Sequence, residues 1–191
     1  MKYTRWALQG VFCVMIFGWL LSTNFLKPMN AKAPSTHSSA VLSIASTAFE
    51  NGAAIPSVYT CDGKNISPPL AISGVPAEAK TLVLIMDDPD SPTGTWDHWI
   101  VFNIPTEGTS VQTLAETVEP HGVKGNNSWG RTGYGGPCPG SGSHRYYLTV
   151  YALDIALSLT EGSSKGDVEE AMQGHSIARG ELMGHYQRMK R

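Results

Sequence analysis

The sequence predicts a mainly β protein, an antiparallel β-sandwich with short helices at its C-terminal end. Three observations carry that prediction. Short apolar runs of strand length recur along the chain, among them residues 81–86 (Thr-Leu-Val-Leu-Ile-Met), 99–104 and 146–153. They are punctuated by 20 glycines and 12 prolines in 191 residues, and apolar residues make up 41% against 16% charged, the proportions of a loop-rich β domain. Helical patterning surfaces only late, so strands precede helices, as in a sandwich decorated at one end.

The first 33 residues stand apart. Lys2 and Arg5 precede an almost wholly apolar run, residues 6–21, and Ala31-Lys32-Ala33 then supplies small residues at plausible cleavage positions. Pro34 directly after them opposes a peptidase, so the segment reads as a signal peptide or as an uncleaved anchor. Extended to Leu26, the run approaches the ~20 apolar residues that span a bilayer. Either fate places the rest of the chain outside the cytosol: periplasmic, secreted, or tethered to the inner membrane and facing out. Residues 34–40, rich in Ala, Ser, Thr and Pro, read as a linker, and 41–191 as one domain. Lys2, Arg5, Lys27 and Lys32 carry all the charge of the first 33 residues, which leaves 10 basic against 16 acidic residues beyond, a net of −6 rather than −2. A body this acidic argues against nucleic acid and anionic membrane surfaces as partners, leaving membrane contact to the N-terminal segment alone.

Within the domain, near alternation over residues 41–49 predicts the first strand, and 55–59 a second. Turn chemistry at Cys61-Asp-Gly-Lys-Asn65 and an extended Ser67-Pro-Pro69 lead into a strand at 70–72. The run 81–86 is apolar on every residue but its first, which predicts a strand buried on both faces. Residues 99–104 repeat that character, 110–114 form a weaker strand, and 146–153 a strong one. Ser164 followed by Asp167 marks a helix start, with helix over 167–173 and a second helix over 177–189 despite Gly180 and Gly184.

Cys13 lies in the apolar run, so Cys61 and Cys138 are the pair left in an oxidising compartment. They are a disulfide candidate, with two free thiols as the alternative, since a bridge depends on a Cα separation that sequence does not give.

Two loops concentrate the chemistry. Residues 86–105 hold Asp87, Asp88, Asp90 and Asp97 around His98, flanked by Trp96 and Trp99. Carboxylates beside an imidazole serve acid–base work or hold an ion, yet Asp in Pro-rich turns also caps backbone. The second loop, residues 136–146, reads Gly-Pro-Cys-Pro-Gly-Ser-Gly-Ser-His-Arg-Tyr; its glycines admit a close ligand, and successive N–H groups there are candidates for an anion cradle. His144 and Tyr146, two apart, point to one face. A third stretch, Gly125-Asn-Asn-Ser-Trp-Gly-Arg-Thr132, is one substitution from a P-loop, but no strand precedes it and no helix follows. No metal-ligand spacing and no nucleophile elbow is present, and no cofactor is implied.

Taken together, Asp88-Pro-Asp-Ser-Pro92, Trp96-Asp-His-Trp99, Gly136-Pro137 and His144-Arg-Tyr146, in this order, resemble the phosphatidylethanolamine-binding protein family, also called Raf kinase inhibitor-like proteins. Thr60-Cys-Asp-Gly63 and Leu182-Met-Gly-His-Tyr-Gln-Arg188 are similar to its bacterial branch. The resemblance implies a β-sandwich with a small pocket for phosphate-bearing groups or similar anions, lined by Asp88, Trp96, His98, Gly136, Pro137, His144 and Tyr146. Where many eukaryotic relatives have Gly-Pro-Pro this chain has Gly-Pro-Cys-Pro, so a Cys138 bridge to Cys61 would stiffen the rim instead. The expected function is an exported, non-enzymatic receptor for a small anionic or phosphorylated ligand. The alternatives are a hydrolase or metal-assisted enzyme using Asp88, His98 and His144, and a protease-inhibitor or protein-interaction module.

Overall fold

A computed structural model describes residues 40–106, 111–117 and 120–188. The segment read as signal or anchor, and the linker up to residue 39, lie outside these residues. Two sheets pack face to face. The larger has six strands in the order β1 (Ala40–Val41), β9 (Ser176–Gln187), β8 (Ser143–Leu153), β4 (Thr81–Asp88), β5 (Trp96–Pro105) and β7 (Val123–Lys124). The smaller has three, β2 (Ser43–Ala45), β3 (Leu70–Ser73) and β6 (Val111–Leu114). Pairing is antiparallel except where β1 runs parallel to β9, so the larger sheet is mixed rather than wholly antiparallel.

The predicted two-sided burial of residues 81–86 holds. Leu82, Leu84 and Met86 enter the core between the sheets with Trp99, Val101, Leu148 and Val150. Val83 and Ile85 face the other way and meet Ile100, Phe102, Leu157, Val168 and Met172. A helix, α1 (Lys165–Ala171), closes that second face through Val168. Its start is the predicted one: Ser164 Oγ accepts from Asp167 N–H, and Asp167 Oδ2 accepts from Ser164 N–H at 2.8 Å.

Three expectations need correction. The strand read over 41–49 is two short strands in different sheets, because the chain changes sheets at Leu42. Residues 55–59 contain a 3₁₀ turn, Ser57–Tyr59, instead of a strand. The second C-terminal helix is in fact β9, twelve residues paired along the whole of β8. Its inward positions are Ala178, Gly180, Leu182, Gly184 and Tyr186. A Cβ at Gly180 would stand 2.4 Å from the Leu42 carbonyl oxygen, and one at Gly184 2.5 Å from Ile55 Cγ1, so the Leu42 backbone and the Phe49 and Ile55 side chains lie directly on the strand. Small residues at buried positions erased the apolar alternation that marks a strand.

Candidate functional site

Asp88 ends β4, His144 is the second residue of β8, and both reach one concave space of about 350 Å³. His144 Nδ1 lies 2.7 Å from Asp88 Oδ2, and Asp88 Oδ1 accepts the Asp90 N–H at 2.9 Å. Asp88 is 4% exposed, so the carboxylate is spent on orienting its neighbours from inside the protein.

His98 arrives by a different device. Asp87 pairs with Asp97 and Met86 with Trp99, so one step along β4 is answered by two along β5, and His98 is the extra residue of a β-bulge. The bulge lets Trp99 enter the core while His98 enters the cavity wall, its ring edge-on to Tyr146 at 5.2 Å and to Trp129 at 5.0 Å. His98 Nδ1 donates to the Gly135 carbonyl oxygen at 2.6 Å, and the Gly135 N–H returns a bond to the His98 carbonyl at 3.0 Å. Burial pushes the His98 imidazole below its ordinary range, against the pull of the Gly135 bond and of Asp88.

Trp96 and Gly136 line the cavity as expected. The Trp96 indole N–H is buried with no partner among the described residues. Gly136 permits no side chain, since a Cβ would stand 2.3 Å from the Tyr59 carbonyl oxygen. Pro137 is buried behind the wall, where its carbonyl accepts the Cys61 N–H at 3.1 Å, and is not among the lining residues. Tyr146 is fully buried beneath His98. Burial and the nearby Asp88 carboxylate push its phenol well above the ordinary range, and its hydroxyl forms no hydrogen bond of ordinary geometry among the described residues.

The other three acids of the first loop serve elsewhere. Lys165 donates to Asp87 and lies 3.3 Å from Asp97 on the opposite face of the sheet. Arg145 makes a two-toothed contact with Asp90 at 2.7 and 2.8 Å, which holds that carboxyl down to about 2. Within the loop expected to cradle an anion, the Gly136 N–H is taken by Asn65 Oδ1 at 2.8 Å and Pro137 and Pro139 have none, while the adjoining Gly135 N–H is taken by the His98 carbonyl.

Among the cavity-lining residues that sequence reasoning did not name as site residues, Trp129, Arg131 and Gly135 matter most to its chemistry. Trp129 and Arg131 belong to the stretch set aside as a failed P-loop. Asn127 Oδ1 accepts the Trp129 N–H at 3.0 Å, and Ser128 is tied to Asp97 at 2.8 and 2.9 Å, which fixes the loop against the bulge. Arg131 lies over the Trp129 ring, 5.6 Å from its centre, and the described residues include no ion pair to it. Cys61 and Cys138, both at the rim, form a disulfide with Cα atoms 5.4 Å apart. Among the described residues no three His, Cys, Asp or Glu side chains are placed to share one metal ion.

A mixed sheet faces a three-stranded one, and an Asp–His pair with a second imidazole stands at one end of the larger sheet, where β4 ends and β5 and β8 begin. The sequence profile described as phosphatidylethanolamine-binding protein matches residues 45–187, and the chain belongs to that family. A UPF0098 protein of Methanothermobacter thermautotrophicus is 52% identical over 147 residues, covering 74% of this chain and 95% of that protein. The crystal structure of a phosphatidylethanolamine-binding protein homologue from Chlamydia trachomatis superposes with a TM-score of 0.74 at 47% identity, covering 78% of this chain and 99% of the other. E. coli YbcL, described as a member of the mammalian PEBP family, gives a TM-score of 0.71 at 30% identity over 78% of this chain and all of its own.

Proposed function

We propose that this protein is an exported, non-catalytic receptor for a small phosphate-bearing anion, held in the cavity bounded by Asp88, His98, Arg131 and His144. The observation that carries the reading is the convergence of two imidazoles and a guanidinium without an ion-pair partner on one concave space of about 350 Å³, a volume suited to a small molecule. Arg131 supplies the permanent positive charge, and its stacking on Trp129 holds the fork at the mouth, where an incoming oxyanion is first met. His144, steadied by Asp88, stands deeper. Trp96, Trp129 and Pro92 give the rim an apolar character that suits an organic group carrying the phosphate.

Binding is favoured over turnover because the cavity offers no activated nucleophile. Both of its cysteines are in the disulfide, and Ser91, the one hydroxyl residue among those lining it, shares its hydroxyl with Thr93 at 3.2 Å. Export is supported by the disulfide and by the sequence pattern of residues 1–33. Titration calorimetry with inorganic phosphate and with phosphoethanolamine tests the reading. Saturable binding is expected, absent in His144→Ala and weakened about three- to tenfold in Arg131→Ala, the range for loss of one charged hydrogen bond at a partly exposed site. A protein that binds neither compound is no phosphate receptor, and steady turnover of a phosphomonoester would make it a hydrolase.

A further inference from the structure

His98 meets the cavity with a lone pair. A carbonyl oxygen only accepts, so the 2.6 Å contact with the Gly135 oxygen places the ring proton on Nδ1, and in the neutral ring this leaves Nε2 a bare acceptor. The tautomer is enforced by position, because the Gly135 N–H is bonded back to the same residue's carbonyl. His98 is 2% exposed, it lines the cavity, and its Nε2 has no protein partner among the described residues. Burial keeps the ring neutral. Asp88, the adjoining polar group, is likewise an acceptor, its oxygens engaged by His144 and the Asp90 N–H. The backbone donors next to the ring are engaged, the Gly135 N–H by the His98 carbonyl and the Gly136 N–H by Asn65 Oδ1. A fully deprotonated oxyanion would therefore set its own lone pairs against that of His98.

We propose that His98 selects the protonation state of the ligand: the site takes a phosphate oxygen that still carries its hydrogen, which donates to His98 Nε2. It thereby prefers hydrogen phosphate and phosphomonoesters over sulfate and phosphodiesters. The inference rests on the phosphate-receptor reading above and adds to it a chemical class. A site built to accept a hydrogen discriminates against a ligand that has none, because its buried acceptor is left facing negative charge.

The test compares methyl phosphate, dimethyl phosphate and sulfate by calorimetry at about pH 6, near the second pKa of a phosphomonoester. Methyl phosphate is expected to bind roughly tenfold or more tightly than the other two. In His98→Asn, whose amide reaches the Gly135 oxygen but presents nothing at the Nε2 position, that ratio is expected to collapse toward one. Nitrogen NMR of the imidazoles in the unaltered protein gives a second readout. Nε2 of His98 should carry the signal of an unprotonated nitrogen and shift as a hydrogen-bond acceptor on addition of methyl phosphate. Equal affinity for methyl and dimethyl phosphate, or a protonated Nε2 in the free protein, overturns the proposal while leaving the anion receptor standing. Binding of none of the three removes both.

Discussion

Gly135 governs His98 from outside the cavity's chemistry. Its carbonyl fixes the imidazole tautomer, and its missing side chain makes room for Trp129, since a Cβ there would stand 2.4 Å from Trp129 Cζ3. Trp129 is 42% exposed and can swing away, so Gly135→Ala is expected to cost about 1 kcal/mol or less in stability. It should nonetheless displace the Trp129 indole resonance and weaken anion binding several-fold, because Arg131 rides on that ring. A second prediction concerns Asp90, whose carboxyl is held near 2 by Arg145 hydrogen bonds against an ordinary 3.8. A depressed carboxyl stabilises the fold above pH 3.8 and loses that contribution as pH falls toward 2. Acid titration of Asp90→Asn should therefore show a shallower loss of stability across that window than the unaltered protein; an identical profile would contradict the pairing. At this scale Asp88, His98 and His144 were legible, since two ordered motifs named them. Asp87 and Asp97 were not separable from Asp88 by residue type, because their opposite facing depends on strand parity and on the bulge at His98. Arg131 was invisible because its partner is an aromatic ring two residues away in an aperiodic loop.

The elements show where pattern reading works and where it fails. β4 announced itself because packing on both faces requires a continuous apolar run, and β8 because its aromatic and β-branched residues suit a largely buried strand. β9 did not: residues 177–189 read as a helix that Gly180 and Gly184 weaken, and only the close approach of residues 42–55 explains those glycines. Gly180→Ala is expected to destabilise by about 1–3 kcal/mol, since the obstruction is the backbone oxygen of Leu42 and not a movable side chain. Gly166→Ala, in the first turn of α1 with no atom nearer than 3.7 Å, should instead stabilise by about 0.5–1 kcal/mol. Urea denaturation of the two variants checks the contrast, and equal effects would refute the packing account. Likewise Asn103, at φ 54°, supplies the second bulge of β5 and exchanges side-chain bonds of 2.9 and 2.7 Å with the Leu157 backbone, a detail no periodicity reveals.

Over the whole molecule, the site is assembled from parts of the chain that meet only through the sandwich. The Cys61–Cys138 bridge spans 77 residues and ties the segment before β3 to the loop before β8, on the cavity rim. Sequence named the pair but not the distance between them. Replacing both cysteines with serine is expected to lower stability by about 2–5 kcal/mol, seen as a lower urea midpoint, and to weaken anion binding by loosening Gly136 and Pro139. An unchanged midpoint would mean that the rim is held by the Tyr134 and Asn65 hydrogen bonds alone. Residues 34–191 carry a net charge of −6, so the proposed receptor would have to hold an anion through local donors against an unfavourable overall field. The most direct test of that receptor is a crystal structure of the full domain soaked with methyl phosphate. The account predicts phosphate density between Arg131 and His144 with one oxygen within hydrogen-bond distance of His98 Nε2. An empty cavity at saturating ligand, or phosphate bound only elsewhere on the surface, would contradict it.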